Sequence, residues 1–229
     1  MNLLKKVLFV FVFFISGKAY GIWSDTLKKD SLMQTPSIKV MFKGGTPYKT
    51  DGGFVVEGTL LFDTDLWTTG PLVMFSSAGS LTFNSVGRVT QGVLSVNVLA
   101  ACMDNRYREF KRGTRVFFND KGLVFRGTLH ESISVTIDGQ VVHSKEDSPI
   151  EFYANGGIKN IVPSENFKFT SKEGIKFIIA ADSQIKFDSN GNFLEGYLAK
   201  KINFVIEGQT IYMSLGQCVR FSDEGNLLW

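Results

Sequence analysis

Three copies of one twelve-residue pattern decide the fold: FNSVGRVTQGVL from Phe83, FNDKGLVFRGTL from Phe118 and FDSNGNFLEGYL from Phe187. Each copy has a Phe, a Gly four residues later, an apolar residue at six, a second Gly at nine and a Leu at eleven. A weaker copy begins at Phe152, where Ile161 replaces the second Gly. Self-similarity at a fixed period predicts a repeat architecture.

Turn residues recur at half of the repeat period. The first Gly of each copy alternates with a second set of residues, and neighbouring positions are 17 or 18 residues apart. The expected turn positions are Gly53, Gly70, Gly87, Asn105, Gly122, Gly139, Gly156, Gly174, Gly191, Gly208 and Gly225. Asn tolerates a positive φ next best after Gly, so Asn105 fits this series. Seventeen residues suit one β-hairpin and its return turn.

The spacing within each copy predicts how the hairpin strands pair. A three-residue loop ending in Gly, with a G1 bulge, places each Phe opposite the residue six positions later. The neighbouring pairs would be Thr82–Thr90, Phe117–Phe125, Glu151–Lys159 and Lys186–Leu194. This register turns Gln91, Arg126, Asn160 and Glu195 toward the core, unless a bulge at Gly92, Gly127 or Gly196 redirects them. Tighter turns of the second set would pair Val135 with Val142, Phe204 with Ile211 and Ile202 with Met213.

These patterns predict an all-β fold class. A tandem β-hairpin repeat, made of a 34–35-residue double hairpin or a 17-residue half-repeat, would form a twisted, solenoid-like meander sheet. The repeated aromatic residues, Phe83, Phe118, Phe152, Phe187 and Phe221, would form the structural core. The repeat domain would span residues 38–229, with residues 22–37 as a leader or an N-terminal cap over the first exposed edge.

Residues 1–21 have the pattern of a secretory signal peptide. Lys5 and Lys6 precede an apolar run, which is too short to span a bilayer, and cleavage is expected after Gly21. Removing this segment leaves 22 basic residues against 22 acidic residues. The mature chain is therefore near neutral, which gives no electrostatic case for nucleic acid. We expect a secreted, periplasmic or cell-envelope protein with no membrane span in the mature chain.

The short hairpins resemble MORN-type repeat arrays. The phrases FYANG from Phe152 and FDSNG from Phe187 are similar to the Y-x-x-N-G cores of the bacterial MORN variant. The resemblance covers roughly residues 38–229, and the double hairpin is also similar to repeats of secreted bacterial proteins. It implies a twisted, elongated all-β array that binds or scaffolds, and it carries over no catalytic residue.

Few residues point to a catalytic, metal or cofactor site, and we expect none of the three. His130 and His143 lack a nearby ligand cluster, and no triad, P-loop or GxSxG arrangement occurs. Asp188, Asn190 and Asn192 could suggest a calcium loop, but these residue types are also common in turns, which is the favoured interpretation.

The two cysteines are not expected to form a disulfide. Cys102 and Cys218 lie more than three repeats apart, whereas bridged residues need Cα atoms within about 7 Å. Cys102 aligns with apolar-face positions and is expected to fill the core.

One cluster is a candidate partner-binding patch. Phe117, Leu123 and Phe125 fall on a face that is polar in most other copies, and Tyr107, Arg108 and Arg112 could frame them. The alternative is that another layer covers these residues as a second small core.

The most plausible function from the sequence is an exported, non-enzymatic repeat protein that binds an unknown envelope protein or glycan. One alternative is an outer-membrane β-barrel, suggested by the terminal Trp229 and Leu227, although membrane strands need about 9–11 residues. Another is an enzyme whose site spans repeats, with a deep polar pocket at residues that break the pattern, such as Glu131, His143 or Glu165.

Overall fold

The structure is a computed structural model, and it describes residues 22–137 and 139–228. The expected signal peptide lies outside the described residues. The described residues are all-β, with 25 strands joined as consecutive hairpins. None of them forms a helix that is long and apolar enough to cross a membrane.

Thirteen strands form one antiparallel sheet, called here the main sheet. In spatial order they are β1 (Trp23–Thr26), β4 (Pro47–Asp51), β5 (Phe54–Thr59), β8 (Ser80–Phe83), β9 (Val89–Val93), β12 (Arg115–Phe118), β13 (Val124–Thr128), β16 (Pro149–Phe152), β17 (Ile158–Ile161), β20 (Ile185–Phe187), β21 (Phe193–Tyr197), β24 (Cys218–Phe221) and β25 (Leu227–Leu228). The sheet is open, because β1 and β25 are its two edges within the described residues.

The other strands form six two-stranded hairpins, called here ribbons. They are β2 (Ser31–Gln34) with β3 (Lys39–Phe42), β6 (Thr64–Trp67) with β7 (Leu72–Phe75), β10 (Val98–Ala101) with β11 (Tyr107–Phe110), β14 (Ser134–Ile137) with β15 (Gln140–His143), β18 (Phe167–Thr170) with β19 (Lys176–Ile179), and β22 (Ile202–Ile206) with β23 (Gln209–Met213). Along the chain, a ribbon alternates with a main-sheet hairpin. One repeat therefore supplies one unit to each layer.

The main sheet and the ribbons bury one shared core. Each of the five repeated Phe residues is only 3% to 4% exposed. Rings from the ribbons pack edge-on against rings of the sheet, with centroids 6.5 Å apart for Phe42 and Phe83 and for Phe75 and Phe118. Because side chains alternate along a strand, residues next to the repeated Phe, such as Phe117, lie on the outer face of the sheet.

The hairpin register is confirmed at each Phe, whereas the four neighbouring pairs expected from the sequence are wrong. Phe83, Phe118, Phe152, Phe187 and Phe221 pair with the residue six positions later. In the first four of these copies the preceding residue pairs with the residue eight, not seven, after that Phe, as in Thr82 with Gln91 and Phe117 with Arg126. The last copy has no such shift, because Arg220 pairs with Leu228, seven residues after Phe221. A bulge lies just before the second Gly rather than at it. It returns Gln91 and its equivalents to the outer face, which removes the polar residues from the core. The three pairs expected at the tighter turns are confirmed.

The second Gly of the pattern makes room for a ribbon side chain. A Cβ added to Gly58, Gly92 or Gly127 would lie 2.6 to 2.7 Å from the ring of Phe42, Phe75 or Phe110, respectively. In the weaker copy, which begins at Phe152, Ile161 occupies the position of the second Gly. Ser144 occupies the position that Phe42, Phe75 or Phe110 has in the other ribbons. Both residues are fully buried. The large and the small side chain have exchanged places across the two layers, which preserves the packed volume.

The turn series has one exception and one addition. Ten of the eleven expected turn residues have a positive φ, and Gly70 does not. Gly70 instead lies against the backbone of Gly122, because a Cβ on Gly70 would be 3.1 Å from the Gly122 carbonyl oxygen. A further series of positive φ values occurs in the turns that lead from ribbon to main sheet: Gly45, Gly113, Asp147, Asp182 and Gly216.

Residues 22–37, expected as a leader or a cap, contain β1 and β2. Strand β1 pairs with β4 along the edge of the main sheet, with Trp23 opposite Thr50. Strand β2 forms the first ribbon with β3. Leu27, just after β1, is buried in the shared core.

Candidate interaction surfaces

The residues of the expected patch lie on two sides of the main sheet. Phe117 and Phe125 are half-buried on its outer face, with ring centroids 5.9 Å apart. The guanidinium carbon of Arg126 lies 5.2 Å from the centroid of the Phe117 ring. Leu123, also half-buried, is in the turn that joins β12 and β13. This part of the patch is a compact aromatic pair with a cation above it.

Tyr107 and Arg108 belong to the ribbon layer instead. Both are on β11, and the guanidinium carbon of Arg108 lies 5.9 Å from the ring of the core residue Phe152. Arg108 is therefore on the side of the main sheet opposite Phe117. Arg112 is exposed in the turn after β11, where its backbone N–H donates to Asn97 Oδ1 at 2.9 Å.

The outer face of the main sheet carries a row of largely paired charges. Lys159 Nζ is 2.7 Å from Glu151 Oε1, and Glu195 bonds both Lys186 at 2.8 Å and Arg220 at 3.2 Å. Lys49 and Glu57 form another cross-strand pair. Exposed pairs of this kind contribute little stability, up to about 1 kcal/mol each. They do keep the outer face polar on both sides of Phe117 and Phe125.

The ribbon layer has a second face, which points away from the core and carries apolar side chains. Its exposed members are between 48% and 76% exposed: Leu32, Trp67, Leu72, Leu99, Tyr107, Val141, Val205 and Tyr212. Trp67 pairs directly with Leu72, and their neighbours Leu66 and Val73 point into the core. We call this set the ribbon row. Contiguous exposed apolar residues are typical of interaction surfaces.

The ribbon row was not predicted from the sequence, although the sequence contains a signal for it. Segments such as LVMF at 72–75 and VLAA at 98–101 are apolar at every position, so both faces of these short strands are apolar. Such a run is also typical of a strand that is buried on both faces, and the sequence offers no means of distinguishing the two cases.

A cleft opens between the ribbon β10–β11 and the ribbon β14–β15, with a volume of about 350 Å³. Its charged wall contains Arg106, Arg108 and Asp104, and Asp104 forms an ion pair with Arg108. The Arg108 side chain is 8% exposed, and its Nε has no hydrogen-bond partner among the described residues. A buried guanidinium that is only partly hydrogen-bonded is energetically unfavourable and calls for a physical explanation.

A second groove, of about 410 Å³, also has Arg108 in its lining. Leu99 and Tyr107 of the ribbon row line it together with Glu131, a residue that breaks the repeat pattern. His143 lies away from this groove, with its Nδ1 3.1 Å from Ser134 Oγ, and Glu165 is exposed in a turn.

The polar residues around Gly191 act within their own turn. Asp188 Oδ1 accepts the backbone N–H groups of Asn190 and Asn192, each at 2.8 Å, and Oδ2 accepts the Asn192 side chain at 2.8 Å. Burial acts to raise the pKa of Asp188, but these hydrogen bonds outweigh it and lower the pKa below its usual range. Asn84 and Asn119 make the same backbone bonds in their own copies. Within the described residues, no three His, Cys, Asp or Glu side chains group closely enough to hold a metal ion.

Both thiols are free in the described structure. Cys102 is fully buried beside Arg108, and desolvation raises its pKa to about 12 although the Arg108 charge opposes that effect. A thiol with so high a pKa is a poor nucleophile at neutral pH. Cys218 is half-buried on β24.

Compared with known proteins, the chain matches no protein-family model and no curated sequence.

Proposed function

We propose that the chain is an exported, non-catalytic repeat protein of the cell envelope that binds a partner protein through the ribbon row. The observation that carries this proposal is the exposure of apolar side chains on the outward face of the first four ribbons and of the sixth. Two short repeat phrases resemble MORN-type arrays, which supports a binding or scaffolding role. The signal-peptide pattern of residues 1–21 supports export.

A protein partner suits the ribbon row better than a glycan. Five of its eight members are aliphatic, namely Leu32, Leu72, Leu99, Val141 and Val205. Aliphatic side chains gain by contact with other apolar side chains, whereas sugar rings stack on aromatic faces. The aromatic members, Trp67, Tyr107 and Tyr212, are of the types enriched at the centres of protein interfaces.

Cross-linking in envelope extracts, followed by mass spectrometry, tests the proposal with two matched variants. One is Trp67→Ser/Leu72→Ser, which removes an exposed pair of the ribbon row. The other is Phe117→Ser/Phe125→Ser, which removes the aromatic pair on the outer face of the main sheet. We expect a partner that binds the wild type and the second variant and is lost from the first.

The opposite selectivity would move the binding site to the outer face of the main sheet. Equal recovery with all three proteins would contradict both locations. Binding to a glycan array that only the ribbon-row variant loses would replace the protein partner with a glycan.

A further inference from the structure

The residue Arg108 departs from the repeat at a position where the other ribbons are apolar. Arg108 lies two residues before Phe110, and the equivalent residues in the other five ribbons are Val40, Val73, Val142, Phe177 and Ile211. All of these residues point toward the shared core or are half-buried. A guanidinium in such a position loses hydration that an aliphatic side chain does not need.

The ion pair with Asp104 does not by itself account for Arg108. Asp104 is on the tip of the same ribbon and bonds one end of the guanidinium, while Nε stays unpartnered. Buried ion pairs are often no more stabilising than well-packed apolar residues of similar volume. The position therefore points to a use of the charge rather than to a gain in stability.

The surroundings of Arg108 define what it could bind. The cleft is lined by two arginines, Arg106 and Arg108, and by one carboxylate, Asp104, so its lining has a net charge of one positive unit. No other lining residue is charged. Ser134 and Thr136 line the opposite wall, and Ile158 and Phe187 contribute apolar surface. The nearby carboxylate of Asp188 is occupied by the bonds of its own turn.

We propose that this cleft binds a monoanionic carboxylate that carries a short apolar or aromatic body. Guanidinium and carboxylate groups match in charge and in planar geometry, and a net charge of one suits a carboxylate better than a phosphate dianion. The volume of about 350 Å³ is at the small end of the range for ligand sites. The ligand is either a free small acid or the C-terminal carboxylate of a polypeptide.

Calorimetric titration with three probes tests the ligand class and its source. The probes are N-acetyl-phenylalanine, its uncharged amide, and an acetylated pentapeptide that ends in phenylalanine with a free carboxylate. The proposal expects the acid to bind at least about tenfold more tightly than the amide, because a charge-assisted hydrogen bond is lost. Tighter binding of the pentapeptide assigns the site to chain ends, and equal binding assigns it to small acids. Equal affinity for acid and amide, or no binding of either acid at millimolar concentration, overturns the proposal.

Two variants separate binding from a structural role. Arg108→Val restores the residue found in three other ribbons, and it should lower acid affinity at least about tenfold without lowering the urea midpoint. Asp104→Asn keeps an acceptor for the Arg106 N–H but removes the competing carboxylate, so it should strengthen acid binding about threefold. Arg220→Gln, on the outer face of the main sheet, is the control and should change nothing. If Asp104→Asn weakens acid binding, or if Arg108→Val leaves it unchanged, the site is not in this cleft.

Discussion

At the scale of single residues, the repeat is held by side chains that fit one another across the two layers. Gly127 lies under the ring of Phe110, and a Cβ at this glycine would be 2.6 Å from the ring. In the copy that begins at Phe152, Ile161 stands in place of the glycine and the fully buried Ser144 stands in place of the aromatic residue. The sequence shows that Ile161 departs from the pattern, but not that Ser144 compensates, because the two residues are far apart in the chain.

We expect Gly127→Ile and Phe110→Ser to be strongly coupled. Gly127→Ile alone overpacks the core and should lower the free energy of unfolding by about 3 kcal/mol. Phe110→Ser alone leaves a cavity and should lower it by about 4 kcal/mol. The double variant has the same pair of residues as the copy that begins at Phe152. Its loss in the free energy of unfolding should be smaller, by at least about 2 kcal/mol, than the summed losses of the two single variants. Urea unfolding of the four proteins measures this coupling, and simple additivity would contradict the exchange.

Asp188 should make the stability depend on pH in the acid range. Because its pKa is lowered in the folded state, its contribution is complete above the ordinary value of 3.8 and is lost as the pH falls through the lowered pKa. Asp188→Asn should change the free energy of unfolding at pH 7 by less than about 1 kcal/mol. Asn84 and Asn119 occupy the equivalent position in their own turns and accept the same backbone hydrogen bonds. It should also make the loss of stability below about pH 4 less steep. Urea unfolding at several pH values measures this effect. If the variant loses stability below about pH 4 as steeply as the wild type, Asp188 does not have this role.

At the scale of elements, ribbon tips rest on main-sheet turns that come much later in the chain. Thr69 Oγ1 donates to the Asn119 carbonyl at 2.8 Å, and Ser37 Oγ donates to the Gly87 carbonyl at 2.9 Å. The base of a ribbon is tied as well, since Asp63 Oδ1 accepts the Ser77 N–H at 2.8 Å and Asn166 Oδ1 accepts the Ala181 N–H at 2.7 Å. The first two bonds hold the tips of β2–β3 and β6–β7 on the sheet, and the other two close the bases of β6–β7 and β18–β19.

Two glycines with nearly equal φ distinguish strain from close contact. Gly122 has a φ of 77° and Gly174 a φ of 79°, so Ala is strained at both by about 1–2 kcal/mol. A Cβ on Gly122 would also lie 2.2 Å from the Gly70 nitrogen, whereas nothing lies within 4 Å at Gly174. Gly122→Ala should therefore destabilise by at least about 2 kcal/mol more than Gly174→Ala. Equal midpoints in thermal or urea unfolding would show that the ribbon tip does not rest on this turn.

The sequence predicted the elements well and the bulge poorly. Spacing alone located the hairpins, because only a few turn types bring strands together at such short intervals. The expected pair of Phe117 with Phe125 was wrong by one residue, since Arg126 pairs with Phe117. The two rings still touch, because a bulge places two successive residues opposite one. The same bulge occurs in the copy where Ile161 replaces the second Gly, so that glycine does not mark the position of the bulge.

At the scale of the whole molecule, the fold is an open sheet covered by ribbons on one face. The period of 17 residues predicted a meander but not its division into two layers, because side chains alternate in the same way in both kinds of hairpin. Nor could the candidate patch be foreseen as two surfaces. Tyr107 and Phe117 are close in sequence, yet they lie in different layers.

Such an array should be most stable at its centre. Each repeat is supported by its neighbours, so the strands at the ends lose support on one side. Among the described residues, strand β25 has two residues and pairs with β24 alone, whereas β12 has β9 and β13 on either side. Amide hydrogen exchange should therefore be slowest in β12 and β13 and fastest in β25. Uniform exchange rates along the chain would indicate a single cooperative unit instead.

The order and register of the main sheet are tested most directly by cross-strand contacts in solution. Nuclear Overhauser effects between backbone protons should connect Thr82 to Gln91, Gln91 to Phe117, Phe117 to Arg126 and Arg126 to Glu151, in one unbroken series across five strands. No such series should link the ribbon strands to one another. Contacts that pair Phe117 with Phe125 in regular register, or backbone contacts that join successive ribbons into the same sheet, would contradict the two-layer repeat.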